Sequence, residues 1–279
     1  MGMLRQAIDL PGVGNARELG GYAVGDKHVQ RGILLRTASL NRATPEALAR
    51  LHDEYHLQTI VDLRMSIEQE RQPDPQIPGA THRGVQVIEM EDFPIPEGVD
   101  PSKLDLLNDP TANRMELFEI AYECGMVGPQ MYVDFLLGER GKRGYAAFFR
   151  ELLALEAGRA ILWHCTDGKD RTGCAAMLVL CALGADRKTV LADYLLTNDF
   201  NAQLIDAALH HFATPQQLAE MPAQKLEVLR VMVGGVSEEY LANAMDVLEE
   251  RYGSVGAYLR DELDVGEAEL EQLRAILLA

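Results

Sequence analysis

Between residues 160 and 173 the chain reads AILWHCTDGKDRTG, and there Cys165 and Arg171 stand with five residues between them. A cysteine is a nucleophile as its thiolate, and a guanidinium grips phosphate through paired N–H donors. Ala160 to His164 has the apolar run of a buried strand, and Arg171 to Leu183 reads as a strongly apolar helix. A loop joining such a strand to a helix N-terminus gathers unpaired backbone N–H groups and the positive end of the helix dipole at one point. That junction is a ready anion socket. Gly168 permits the backbone curvature that turns several amides inward together, and Arg171 falls in the first helical turn. A thiol facing both a helix N-terminus and a guanidinium is favoured as thiolate. Cys165 at the base of an anion cradle is thus a nucleophile aimed at a bound phosphorus, with Thr172 placed to donate its hydroxyl to the sulfur. His164, Gly168, Thr172 and Gly173, framed by strand and helix, set this apart from a structural cysteine beside a surface turn. A zinc site would need a second Cys/His pair at ligand spacing, which the chain does not offer.

The elements that must hold this loop can be read outward from it. Gly32 to Arg36, Thr59 to Arg64 and Val85 to Ile88 are further strand candidates. Thr44 and Pro45 open a helix as N-cap and first helical residue, with Leu48, Leu51 and Tyr55 on its apolar face. The proline-bearing stretch at about 93–145 is looser, with short helical pieces at 114–124 and 131–137, and reads as an insertion beside the core. Tyr145 to Leu155 is predicted helical, and the chain beyond 183 is almost all helix. Strands alternating with helices, then a helical C-terminal region, predict an α/β fold: a single domain over 1–279 around a mainly parallel central sheet flanked by helices.

Composition narrows the partners. The formal charge of −17 argues against a nucleic-acid backbone or an anionic membrane surface as the main partner. No stretch approaches the roughly 18 apolar residues of a membrane span, and the N-terminus has no signal-peptide core. Four cysteines without CxxC spacing do not make a disulfide framework, so a reducing cytoplasm is expected, export by a non-classical route remaining open.

The motif resembles the signature H-C-x5-R-[ST] of the cysteine-dependent phosphatases. More narrowly, it is similar to the H-C-x-x-G-K-D-R-T-G loop of bacterial atypical tyrosine phosphatases of dual or triple specificity. Asn15-Ala16-Arg17-Glu18-Leu19-Gly20-Gly21 resembles that family's opening N-x-R-D-L-G-G, with Glu18 in place of Asp. Arg36 to Leu40, Val61 to Arg64 with Glu68, Asp193 to Asn198, and Tyr252 to Val255 resemble its other segments. The resemblance implies the cysteine-phosphatase fold, with the 93–145 insertion as a helical lid. It implies Cys165 as nucleophile, Arg171 as phosphate-binding arginine, and the amides of Thr166, Asp167, Gly168, Lys169, Asp170 and Arg171 as the cradle. No cofactor or metal is expected. Lys169 and Asp170 are the family's additions to the minimal loop, and they are shared in part with phosphoinositide phosphatases, so a lipid head group stands beside phosphotyrosine as a substrate.

Protonating a leaving oxygen calls for a carboxyl, and two compete: Asp92, after the third strand candidate, and Asp170, inside the loop. Asp170 could instead form an ion pair orienting Arg171 or Lys169. Asp62 is expected to hold Arg64, and His164 to be a core histidine bonded to the loop backbone. Cys174 and Cys181 are expected as packing residues, with a redox role for Cys174 as a minor reading. Arg17 and Arg36 either supplement the anion pocket or form salt bridges. The expected reaction is phosphomonoester hydrolysis through a phosphocysteine, on phosphotyrosine in protein first, then phosphoserine/threonine and phosphoinositides, releasing inorganic phosphate. The alternatives are a phosphate-reading module without catalysis, and an arsenate reductase-like enzyme needing further reactive cysteines.

Overall fold

A computed structural model describes residues 6–92, 114–123 and 127–279. The main sheet contains β1 (Arg17–Glu18), β4 (Leu34–Thr37), β5 (Leu57–Asp62), β6 (Thr81–Gly84) and β7 (Ala160–His164), in the order β1-β4-β7-β5-β6. Only β1 runs antiparallel; the pairs β4–β7, β7–β5 and β5–β6 are parallel. A separate two-stranded ribbon pairs β2 (Ala23–Val24) with β3 (Lys27–His28). β7 is the central strand and is buried along its whole length, as expected of an apolar run covered on both faces. Its register sets Thr37 of β4 and Asp62 of β5 on either side of His164, so the carboxyl ends of three parallel strands open at one edge. In open α/β sheets that edge is where ligands bind.

The helices are α1 (Pro45–Asp53), α2 (Ser66–Arg71), α3 (Arg114–Glu123), α4 (Pro129–Leu137), α5 (Glu139–Leu153), α6 (Asp170–Leu183) and α7 (Arg187–Phe200). They continue with α8 (Ala202–Phe212), α9 (Pro215–Glu220), α10 (Ala223–Met232), α11 (Glu238–Tyr252), α12 (Val255–Leu263) and α13 (Glu267–Leu277). The α1 start is as predicted: Thr44 accepts from the Ala47 N–H at 3.2 Å and Pro45 is the first helical residue. α6 is buried on nearly every side from Thr172 to Leu183, a helix enclosed by the sheet and by α4, α7, α12 and α13. A satellite cluster of Phe118, Ile205, Leu209 and Leu229 joins α3, α8 and α10 beside this main core. Among the described residues no helix is long and apolar enough to cross a membrane.

The third strand lies earlier than predicted. β6 is Thr81–Gly84, a largely exposed polar edge strand, while Val85–Ile88 lies outside the ladder. Pairing ends where Asp62 meets Gly84, and the Val85 N–H makes a last bond to the Asp62 carbonyl at 2.8 Å. The apolar side chains Val85, Val87 and Ile88 are buried in the main core without strand pairing. Their chain runs close to α5: a Cβ on Gly144 would stand 2.8 Å from the Gln86 carbonyl oxygen. Of the predicted 93–145 insertion, 93–113 and 124–126 lie outside the described residues. α4 supplies Tyr132, Phe135 and Leu136 to the main core, and α5 begins at Glu139, ahead of its predicted start.

Candidate active site

The segment 165–169 joins β7 to α6 at the carboxyl edge of the sheet, with Cys165 buried at its root. Three consecutive loop carbonyls are tied to the surrounding scaffold. The Thr166 carbonyl accepts from the Ser39 N–H at 3.0 Å. The Asp167 and Gly168 carbonyls accept from Asn15 Nδ2 at 3.2 and 2.9 Å, and Arg36 Nη2 adds a bond to Gly168 at 3.0 Å. In a planar trans peptide the next N–H points opposite to the carbonyl. Anchoring these carbonyls outward therefore turns the N–H groups of Asp167, Gly168 and Lys169 toward the concave side. Gly168 has φ of +67°, and a Cβ there would lie 2.3 Å from the Thr37 carbonyl oxygen, so this close approach to β4 admits only glycine.

The clamp beneath the loop is a buried charge cluster. Asp193 on α7 binds Arg36 through Oδ2 at 2.6 Å and Arg17 through Oδ1 at 3.2 Å, all three being fully buried, and Tyr22 donates to Asp193 Oδ1 at 3.1 Å. Burial alone would raise the Asp193 pKa, but the two guanidiniums outweigh it and hold it below the ordinary carboxylate value. Arg17 falls to about 10 because burial and the neighbouring Arg36 outweigh Asp193. Arg17 also donates to the Asp193 carbonyl, to Thr197 and to Asn15 Oδ1. Both arginines are thus committed to ion pairing.

Arg171, in the first turn of α6, is held by a residue for which sequence reasoning assigned no role. Glu68 on α2 receives Arg171 Nη1 at 2.5 Å and Nη2 at 3.1 Å, and accepts the Thr166 hydroxyl as well. Burial works against the Glu68 carboxylate, but the bonds and charge of Arg171 prevail and lower its pKa from 4.5 to about 2. Since the folded value is depressed, this stabilisation is complete above about pH 4.5 and is lost as pH falls through about 2. Chemical denaturation across that window is expected to show Glu68→Gln losing less stability than the parent protein; equal losses in both would contradict the pairing.

His164 is buried, as predicted, with Nδ1 donating to the Cys165 carbonyl at 3.1 Å and Nε2 2.9 Å from Asp74 Oδ2. Burial disfavours its charged form, but Asp74 and Asp62 more than compensate, and its pKa is raised. Asp62 holds Arg64, with contacts at 2.9 Å to Nε and 2.7 Å to Nη2, and Arg64 bridges onward to Asp74 at 2.9 Å. The convergence of Asp62, Asp74 and His164 is therefore already compensated by a guanidinium. The Thr172 hydroxyl is buried and makes no hydrogen bond to Cys165 or any other group among the described residues. Cys165, Cys174 and Cys181 are free thiols, and burial pushes Cys174 far up and Cys181 up to about 12.

The carboxyl candidates part company. Asp170 begins α6 and receives the Tyr132 hydroxyl at 2.5 Å on Oδ1. Asp92 accepts from the Glu89 N–H at 2.8 Å and pairs with Arg140. It borders a cavity of about 500 Å³ lined by Val87, Ile88, Val133 and Arg143 but by no residue of 164–173. The Lys169 ammonium lies 3.5 Å from Asp170 Oδ2. It is buried and donates to the carbonyl of Val231, in the last turn of α10, at 2.5 Å and to that of Gly235, just after the helix, at 3.4 Å.

A parallel-sheet α/β fold with a cysteine-and-arginine loop feeding a helix N-terminus is the architecture of a cysteine-phosphatase. Residues 8–279 match the tyrosine phosphatase family, and the chain belongs to it. A Cupriavidus necator protein with a provisional tyrosine-protein phosphatase name is 33% identical over 92% of this chain and 84% of its own. The triple specificity protein phosphatase PtpB of Mycobacterium tuberculosis is 30% identical over 97% of this chain and 98% of its own. A tyrosine-protein phosphatase of Nostoc commune is 24% identical over 87% and 73%. The protein is a protein-tyrosine phosphatase, a phosphoric monoester hydrolase.

Proposed function

We propose that the substrate phosphate sits in the loop 165–171, with Cys165 as nucleophile, Arg171 and the inward amides as its binding groups, and Asp170 as general acid. The inward turn of the loop amides above Cys165, forced by the outward anchoring of three carbonyls, carries this reading. The Cys165 thiolate attacks phosphorus in line. The bond from phosphorus to the leaving oxygen breaks, and the Asp170 proton passes to that oxygen. Water then attacks the phosphocysteine, Asp170 takes its proton, the P–S bond breaks, and inorganic phosphate leaves with the thiolate restored.

Phosphotyrosine in protein is the leading substrate. PtpB, similar along its whole length, is named for triple specificity, which supports phosphoserine and phosphothreonine behind it. Phosphoinositides draw less support, because the Lys169 ammonium is already engaged by two carbonyls. Free thiols at Cys165, Cys174 and Cys181 favour action in a reducing compartment such as cytoplasm.

Asp170 is preferred to Asp92 because it lies within the loop, whereas Asp92 is bound to Arg140 and borders a cavity that contains no loop residue. Loss of a general acid costs about 10²–10⁴ on a poor leaving group. Asp170→Asn is thus expected to slow phosphotyrosine and phosphothreonine turnover by at least about 10², and activated aryl phosphates far less, while Asp92→Asn stays close to the parent. A substrate panel on both variants and the parent protein decides it. The reverse pattern would transfer the acid role to Asp92.

A further inference from the structure

The hydroxyl groups of two buried tyrosines lie in line behind Asp170. Tyr132 on α4 is fully buried and gives its only proton to Asp170 Oδ1 at 2.5 Å. Tyr194 on α7 places its hydroxyl 2.6 Å from that of Tyr132, so with the Tyr132 proton spent, Tyr194 is the donor of that contact. Burial pushes both phenols well above their ordinary pKa, which keeps both as O–H donors. Close packing fixes the pair. The Tyr132 ring meets Tyr194 and Tyr240 edge-on at 6.0 and 5.8 Å, and a Cβ on Gly173 would stand 3.1 Å from the Tyr194 ring. The residue preceding Tyr194 on α7 is Asp193, which clamps the loop from below, so one helix supports both the cradle and the carboxyl beside it.

We propose that Tyr132, backed by Tyr194, is a positioning residue for the reaction: it fixes the Asp170 carboxyl by occupying Oδ1, and so assigns the transferable proton to Oδ2. This rests on the reading of Asp170 as the acid. Lys169 Nζ lies 3.5 Å from Oδ2 and is itself pinned to the Val231 and Gly235 carbonyls. Among the described residues, the other titratable groups within electrostatic range of Asp170 include Asp167 on the loop, Arg171 and Cys174 on α6 and Tyr240 on α11. Of all these neighbours, Tyr132 makes the direct hydrogen bond to Oδ1.

The test is the pH profile of kcat/KM for phosphotyrosine peptide and for p-nitrophenyl phosphate, measured on the parent, Tyr132→Phe, Tyr194→Phe, Asp170→Asn and the double variant Tyr132→Phe/Asp170→Asn. A donor to the ionised carboxyl favours that form, so Tyr132→Phe is expected to move the basic limb up by roughly one pH unit. Phosphotyrosine turnover at neutral pH is expected to fall about tenfold as the carboxyl loses its fixed orientation. Tyr194→Phe moves the limb in the same direction by less, and it carries the test if thermal unfolding shows that Tyr132→Phe does not fold. In the Asp170→Asn background the second substitution adds nothing to the limb. A flattened limb in Asp170→Asn with an unmoved limb in Tyr132→Phe overturns the positioning role and leaves the acid in place. An unchanged limb in Asp170→Asn overturns the acid assignment and the positioning role together.

Discussion

Cys165→Ser is expected to lower turnover of phosphotyrosine and of p-nitrophenyl phosphate by on the order of 10⁵ or more, as removal of a nucleophile does where its partners act as a unit. A serine hydroxyl is a poor nucleophile unless a base activates it, and the adjoining His164 is not aimed to do so: its ring donates to the Cys165 carbonyl and faces Asp74. The substitution changes little else. Cys165 is 2% exposed, so the cost to folding is that of burying one small hydroxyl, about 1–3 kcal/mol. The amides of the cradle and Arg171 keep their anchors, and inorganic phosphate is expected to bind the variant still. Retained turnover in a folded Cys165→Ser protein would contradict the covalent mechanism.

Asp193→Asn is expected to give the largest loss of stability, about 3–5 kcal/mol, as breaking a buried pair from one side does. The carboxylate is the shared counter-charge of Arg17 and Arg36, all three of them buried. An amide in its place leaves two guanidiniums uncompensated in the interior. Its NH₂ group also faces donors where an oxygen accepted from Arg36, or from Arg17 and Tyr22. The same change loosens Arg36 from Gly168 and Arg17 from Asn15, so phosphate affinity should fall even in the fraction that folds. Denaturant unfolding of parent and variant measures the first effect, and a loss under about 1 kcal/mol, typical of a surface pair, would show that Asp193 is not the keystone of the clamp.

What the sequence disclosed follows from how locally each signal is written. Strand, loop and helix around Cys165 and Arg171 occupy one stretch whose apolar flanks and glycine carry their own geometry, and β7 and α6 begin where the pattern puts them, to within a residue. The clamps were not legible as clamps. Asn15 and Arg36 reach Gly168, and Arg36 reaches Asp193, across more than 130 positions of chain, and no periodicity announces such a meeting. Glu68, Asp74 and Tyr132 likewise reach the site only through the parallel sheet and the packing of α4. Arg17 and Arg36 had two open roles in the sequence; a single buried carboxylate decides for ion pairing. Val85–Ile88 shows a different limit: apolar side chains report burial, and burial against α5 gives the same letters as burial within a sheet.

The most direct test of the account is to stop the reaction part-way and find where the phosphoryl group is. Rapid acid quench of the enzyme during turnover of p-nitrophenyl phosphate, followed by peptide mass analysis, is expected to show one added phosphoryl group on the peptide carrying Cys165. The adduct should be absent from Cys165→Ser and should accumulate in Asp170→Asn, where hydrolysis of the intermediate loses its base. Full turnover with no adduct at any quench time, or an adduct on another residue, would contradict the phosphocysteine mechanism.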